Sequence, residues 1–311
     1  MSVNRNTHQA RELLALMLVF SIPHRASPAR SRATPVSTSP RSDAMWHNER
    51  TVAVETLGET KFTRCDVHTV VSEDGKTLID DWIFLEEVNA VNVVVQTLDG
   101  RYVVFSQRKY GIPGDTLSPV GGFIDKGESP LTSAKREVLE ELGLGSRRTL
   151  RTVREGLRGY DNGITGTPGR TMEVQNVIDI IRESADPPVM DEYGLPDGLS
   201  RPVPSVDFDN DWVYLRRYRT AANRGGGFLY SYLLKNAVPL VPGGGTVNYQ
   251  GTGDGESQEI MYLAEGQVMK ALSEGRFQEV KWAATFALAM LHVRDGMPAC
   301  CGKQVHSGMT A

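Results

Sequence analysis

The sequence predicts an α/β or α+β sandwich in which helices cover a mixed β-sheet. Three observations predict it. From Phe62 onward, β-rich runs alternate with turn residues. A glycine loop then leads into a well-capped helix. Further strands follow, and two apolar-striped helices close the chain, the order expected when helices pack on a sheet. At 311 residues the chain can bury a full core, as one large domain or two small ones.

In chain order, TRCDVHTVV and TLIDDWIFL flank SEDGK and predict a hairpin. NAVNVVVQTL and RYVVFSQRKY, joined at Asp99-Gly100, predict a second strand pair. GIPGDTLSPVGG reads as a Gly/Pro loop. Ser129 can cap a helix with Pro130 at its first position, and Gly143 ends that helix after Leu142. RRTLRTVREG reads as another strand. Residues 157–226 carry Pro168, Pro187, Pro188, Pro196, Pro202 and Pro204 and read as a long insertion; TMEVQNVIDII inside it fits a strand or a short helix. GFLYSYLLKNAVPL and EIMYLA read as strands on either side of a Gly-rich loop. AEGQVMKALSEG and FQEVKWAATFALAMLHV read as helices, the second with Val280, Ala284, Ala287, Leu288 and Leu291 on one stripe. The domain expectation is a folded unit over 46–294, with 157–226 as an irregular insertion, and tails at 1–45 and 295–311.

Composition narrows the function. A net charge of −4 gives no global attraction for nucleic acid or an anionic membrane surface, and neither partner is expected. Cys65, Cys300 and Cys301 are too few for a disulfide framework. The scattered histidines form no HxxxH pair, which argues against zinc. The longest apolar run, Leu13–Phe20, is about half of the roughly 20 residues a membrane helix needs. The first 44 residues hold six arginines, many Ser, Thr and Pro, and only Glu12 and Asp43 as acids. Three readings stand level: an organellar transit peptide, a secretory signal built on Leu13–Phe20, or a disordered tail upstream of a true start at Met45. The compartment stays open among mitochondrion or other organelle, secretion and cytoplasm.

The chemistry gathers on the predicted helix. Glu137, Glu140 and Glu141 are spaced i, i+3, i+4, so their carboxylates share a face, where like charges repel. Arg136 can pair with Glu140 or reach back to Glu128. The ordinary explanation of an acidic helix face is solvation. The alternative is a cation: oxygen-only ligands at this density suit Mg²⁺ or Mn²⁺, and Mg²⁺ usually shares its shell with phosphates of a substrate. Gly121-Gly122 would let the backbone pass close by and offer the Gly121 carbonyl as a ligand.

Spacing decides between them. Gly122, five residues, Glu128, seven residues, then Arg136-Glu137-Val138-Leu139-Glu140-Glu141-Leu142-Gly143-Leu144 resembles the Nudix box at every defined position. The resemblance implies a Nudix-type α/β/α sandwich with a mixed sheet, here with extra N-terminal strands and a long insertion. It also implies hydrolysis of a nucleoside diphosphate derivative with Mg²⁺ or Mn²⁺ on Glu137, Glu140 and Glu141. Outside the box, FSQRKYGIPGDTLSPVGGFIDKGES and GDGESQEIMYLAEGQVMKALSEGRFQEV are similar to the ADP-ribose and nucleotide-sugar pyrophosphatase branch. In that branch the loop reads E-L-P-[AG]-G; here Ser118-Pro119-Val120-Gly121-Gly122 lacks the acid and shifts the proline, which leaves the substrate open.

By that resemblance a loop carboxylate is the general base. Glu256 matches best and Glu259 second, with Glu140 alongside them in the catalytic set. Arg108 and Lys109 are candidates for the diphosphate or terminal ribose, and a solvated strand end explains them about as well. Tyr110, Trp82 and Trp212 are candidates for stacking on a base. Glu128 and Arg136 read as a brace. A homodimer through the first strands is a further implication. The competing readings are a Nudix hydrolase of a CoA, dinucleotide or nucleoside triphosphate substrate, and a nucleotide-sensing module that does not turn its ligand over. Gly75-Lys76-Thr77 fails as a phosphate-binding loop, because Val70 stands where glycine is required.

Overall fold

The structure, a computed structural model, describes residues 49–161, 174–183, 210–240 and 258–295. All of them lie in one compact unit, Thr38–Ala311. The tail expected at 1–45, Glu256 and most of the Gly-rich loop lie outside the described residues. So does the tail expected at 295–311, apart from Asp295, which ends the last helix.

The N-terminal sheet has the order β1 (Thr51–Glu59), β2 (Thr63–Val71), β3 (Leu78–Glu87), all antiparallel. β2 and β3 are the predicted hairpin, and β1 is a strand that the sequence did not flag. Glycine ties this sheet to the rest: Leu85 N–H donates to the Arg224 carbonyl at 2.8 Å and the Gly226 N–H to the Leu85 carbonyl at 2.5 Å. Gly225 between them has φ +83°, and a Cβ there would strike the Leu85 carbonyl.

The main sheet has eight strands: β4 (Ala90–Thr97), β5 (Tyr102–Lys109), β6 (Ile112–Ser118), β7 (Val120–Phe123), β8 (Leu144–Gly145), β9 (Trp212–Arg219), β10 (Phe228–Pro239) and β11 (Gln258–Leu263). The path runs β11-β5-β4-β10-β8, with β6 on β5, β7 on β4 and β9 on β10. β4 and β10 are parallel and the other pairs antiparallel, so the sheet is mixed as expected. Val91 to Val95 are buried without a break because helices cover both faces of β4.

On one face, Val91, Val93, Phe105 and Tyr230 pack against Ala134 and Val138 of α1 (Pro130–Leu142). A second layer of α2 (Arg147–Asp161) and α3 (Val174–Glu183) adds Val153, Val177 and Ile181 against Leu139 of α1. On the other face, Val94, Tyr102 and Val104 meet α4 (Glu265–Ser273) and α5 (Val280–Asp295). The result is the α/β/α sandwich the sequence predicts.

Three local readings are corrected, and one left open is settled. RRTLRTVREG is helical, as α2: Thr149 and Val153 are buried four residues apart, a helical repeat that the β-branched residues disguised. GIPGDTLSPVGG is not a loop but β6 and β7, with Pro113 and Gly114 exposed at the outer end of β6, where a missing donor costs least. The insertion holds strand β9, inserted beside β10, and its ambiguous stretch is helix α3. In α5 the inward stripe is Thr285, Phe286, Ala289 and Met290, whereas Val280 is 81% and Leu291 48% exposed. That helix is apolar on several sides, so its sequence alone did not define one face.

Candidate active site

Helix α1 is fixed at both ends by its sequence. The Ser129 hydroxyl accepts the Thr132 N–H at 3.1 Å, Pro130 occupies the first turn, and Gly143 at φ 67° donates its N–H to Leu139 at 2.8 Å. Such a cap is worth ~1 kcal/mol. What sets this helix apart is that it buries charge: Arg136 and Glu141 are among its buried residues.

Arg136 is the hub. Its Nε and Nη2 hold Glu128 at 3.1 Å, its Nη1 holds Glu137 at 2.7 Å and Glu140 at 2.9 Å, and its Nη2 donates to the Phe123 carbonyl at 3.0 Å. Burial works against the Arg136 charge, yet Glu128 and Glu137 push its pKa up. Glu128 is buried and takes further hydrogen bonds from Ser133 Oγ at 2.6 Å and Arg182 Nε at 2.9 Å. Burial opposes its charge too, and Arg136, Ser133 and Arg182 outweigh it, holding the carboxyl below its ordinary range. The sequence expectation that Glu128 and Arg136 brace the loop matches this geometry.

Among the described residues Glu141 has no such cation. It is 9% exposed, and its Oε2 finds no hydrogen-bond partner among them. Burial and then the nearby Glu137 raise its pKa well above the usual carboxylate range, against a hydrogen bond from the Gly121 N–H and the charge of Lys109. Burial also raises Glu137 to about 7, opposed by Arg136 and aided by Glu140 and Asp125. The paired glycines are needed here. A Cβ on Gly121 would lie 2.6 Å from Asn92 Oδ1, and one on Gly122 would strike the Glu137 carboxylate.

These carboxylates fit a hard divalent cation in kind: all donors are oxygen, and a buried carboxylate with an unpaired oxygen is an unstable state that a cation would relieve. They are not drawn together as a cage. Among the described residues no three His, Cys, Asp or Glu side chains converge, because Arg136 holds Glu137 and Glu140 to itself.

A cavity of about 180 Å³ opens beside Glu141, walled by Lys109, Gln107, Asn92, Lys281 and Trp282. Of the expected substrate residues, Lys109 lines it. Arg108 is turned onto Asp115, Nε to Oδ1 2.6 Å, and Tyr110 projects fully into solvent. Trp212 is buried edge-on to Tyr232, and Trp82 donates to the Asn223 carbonyl at 2.6 Å. Glu259 pairs with Ser106, as Met261 does with Val104, and residues directly opposite share a sheet face. Val104 belongs to the core beneath α4 and α5, so Glu259 is on that face, and its neighbour Gln258 lines the cavity. Glu256 lies outside the described residues.

Sequence reasoning missed Asn92, Gln107, Arg182, Lys281 and Trp282. Asn92 and Gln107 carried a usable signal, as polar residues inside apolar strand runs. The others sit on helices whose inward faces were misread or unresolved.

The NUDIX domain family model matches residues 87–174, the stretch from the end of β3 to the start of α3 that contains all of these carboxylates. No curated protein matches the sequence. Among solved structures, a crystal structure described as an ADP compounds hydrolase is 14% identical, with a TM-score of 0.48, over 79% of this chain and 95% of that chain. Nudix hydrolases act on small nucleotide derivatives and generally use divalent metal ions. With the box on a capped helix, its glycines pressed against its glutamates and the family match across it, residues 87–174 of this chain are similar to NUDIX domains.

Proposed function

We propose that the protein hydrolyses the diphosphate link of a nucleoside diphosphate derivative, ADP-ribose or an ADP-sugar, to AMP and a sugar phosphate. Glu141 carries this reading: a buried carboxylate with one oxygen unpaired, at the edge of a cavity that also holds Lys109. Glu137, Glu140, Glu141 and the Gly121 carbonyl would hold Mg²⁺ or Mn²⁺, which supplies charge neutralisation and a more acidic bound water. Lys109 offers a cation to the diphosphate, and Trp282 an aromatic wall to the nucleoside. Arg136 holds Glu137 and Glu140 on one nitrogen, Nη1, in the position a cation would take. Glu256 removes the proton from the attacking water, a role contributing ~10²–10⁴-fold.

A homodimer through the N-terminal sheet belongs to the same reading. Val52 and Leu57 on β1 and Leu78, Ile83 and Leu85 on β3 are exposed, an unusual set of large apolar side chains for a surface.

The test is AMP release from ADP-ribose with Mg²⁺, for wild type and Glu141→Gln. A cation contribution of several kcal/mol corresponds to a loss of about 10³-fold in the variant. Wild-type inertness across nucleoside diphosphate derivatives would overturn the hydrolytic reading. Tight ADP-ribose binding without turnover would point to a sensor instead.

A further inference from the structure

Arg182 lies in the last turn of α3, inside the insertion and outside the motif that defines the site. The apolar side of α3, with Val177, Ile178 and Ile181, shares a core cluster with Leu139 of α1 and Val153 of α2. That packing delivers the guanidinium to the loop before α1. Its Nε donates to Glu128 Oε1 at 2.9 Å and its Nη2 to Asp125 Oδ2 at 2.9 Å. Glu128 therefore carries two guanidinium groups and a hydroxyl, more than neutralising one buried carboxylate requires.

The surplus has a geometric consequence. Arg136 is shared between Glu128 on the loop and Glu137 and Glu140 on the helix. A divalent cation taken up by the helix carboxylates repels the Nη1 that now holds them. Arg136 can yield only if its other nitrogens keep a fixed partner, and Glu128 is that partner. Among the described residues, without Arg182 Glu128 has Arg136 as its remaining cation, and Asp125 keeps the longer approach to Arg136 Nε at 3.9 Å.

We propose that Arg182 is a positioning residue for the cation site: by clamping Glu128 and Asp125 it anchors Arg136, so that Glu137 and Glu140 can exchange Arg136 for a divalent cation. The ordered helix of the insertion thus serves the metal side of the active site. This inference rests on the metal-dependent reading above.

Charge and position predict opposite signs, which makes the test decisive. By Coulomb attraction alone, removing a cation near the acids strengthens metal binding. By positioning, removal weakens it, and lost supports behind metal ligands typically cost 10–100-fold in affinity. The experiment is a Mn²⁺ titration of the full chain, read from the spin-resonance signal of free Mn²⁺, for wild type, Arg182→Ala and Arg182→Lys. A thermal melt of each checks the fold. The expected result is a dissociation constant about tenfold higher in Arg182→Ala, with the Mn²⁺ needed for half-maximal AMP release rising equally. Arg182→Lys should weaken binding as well, since an ammonium lacks the planar fork that spans two carboxylates, and it decides the matter should Arg182→Ala not fold. Wild-type or tighter affinity in a folded variant overturns the proposal alone. Absence of Mn²⁺ uptake by the wild type overturns the metal reading and this proposal with it.

Discussion

Helices α1 and α2 follow one another in the chain and are both dense in charge, yet they treat it in opposite ways. In α1, Arg136 and Glu141 are buried, and Glu137 is 12% exposed at its side chain. In α2, Arg147, Arg151, Arg154 and Glu155 face solvent while Thr149 and Val153 turn inward. A solvated charge costs nothing to keep. A buried one must be offset by partners, and in α1 the offset is incomplete, since Glu141 Oε2 has none. The lesson is that charge density is not the signature of a site; unrelieved burial of charge is.

The sharpest way to break this contrast is to remove the hub. Arg136→Gln leaves Glu128 and Glu137 buried beside one another with one cation fewer. Breaking a buried pair in this way costs about 3–5 kcal/mol, and urea unfolding of the metal-free protein should show it. A loss below about 1 kcal/mol would mean that the carboxylates are better solvated than their positions indicate.

A smaller effect is expected from pH. Glu137 is raised to about 7 from its ordinary value, and Glu141 is raised in the same direction. A carboxyl raised by folding favours the fold while protonated. Its contribution is fully present below about 4.5 and lost as pH climbs through about 7. The metal-free protein should therefore lose stability between pH 5 and 8 by up to ~3 kcal/mol. Glu137→Gln should flatten that slope. Glu128 is shifted the opposite way, so its stabilising effect is lost only at lower pH.

The smallest effect sharpens the other half of the comparison. Arg151→Gln on α2 should leave unfolding free energy within ~0.5 kcal/mol of wild type and AMP release unchanged, as for an exposed residue away from any special feature.

What could be read beforehand follows the same division. Ser129, Pro130 and Gly143 announced α1 because caps are local chemistry, and the box spacing announced its acids. RRTLRTVREG could not announce α2, because its inward positions include Thr149, which fits a strand as readily as a helix. The role of Arg182 was illegible, since it is set by packing α3 onto residues more than 50 positions away in the chain. Glu259 was read as a loop acid; the register of β11 against β5 turns it toward the α4 and α5 side, which no local pattern encodes.

The direct test of the central claim compares thermal unfolding midpoints of wild type and Glu141→Gln at pH 8, without metal and with saturating Mn²⁺. If Glu141 is kept buried to receive a cation, the variant melts no lower than wild type without metal, because the amide has no charge to bury and still accepts from Gly121. With Mn²⁺ wild type melts higher, since it gains more binding free energy. The same order under both conditions would contradict the account.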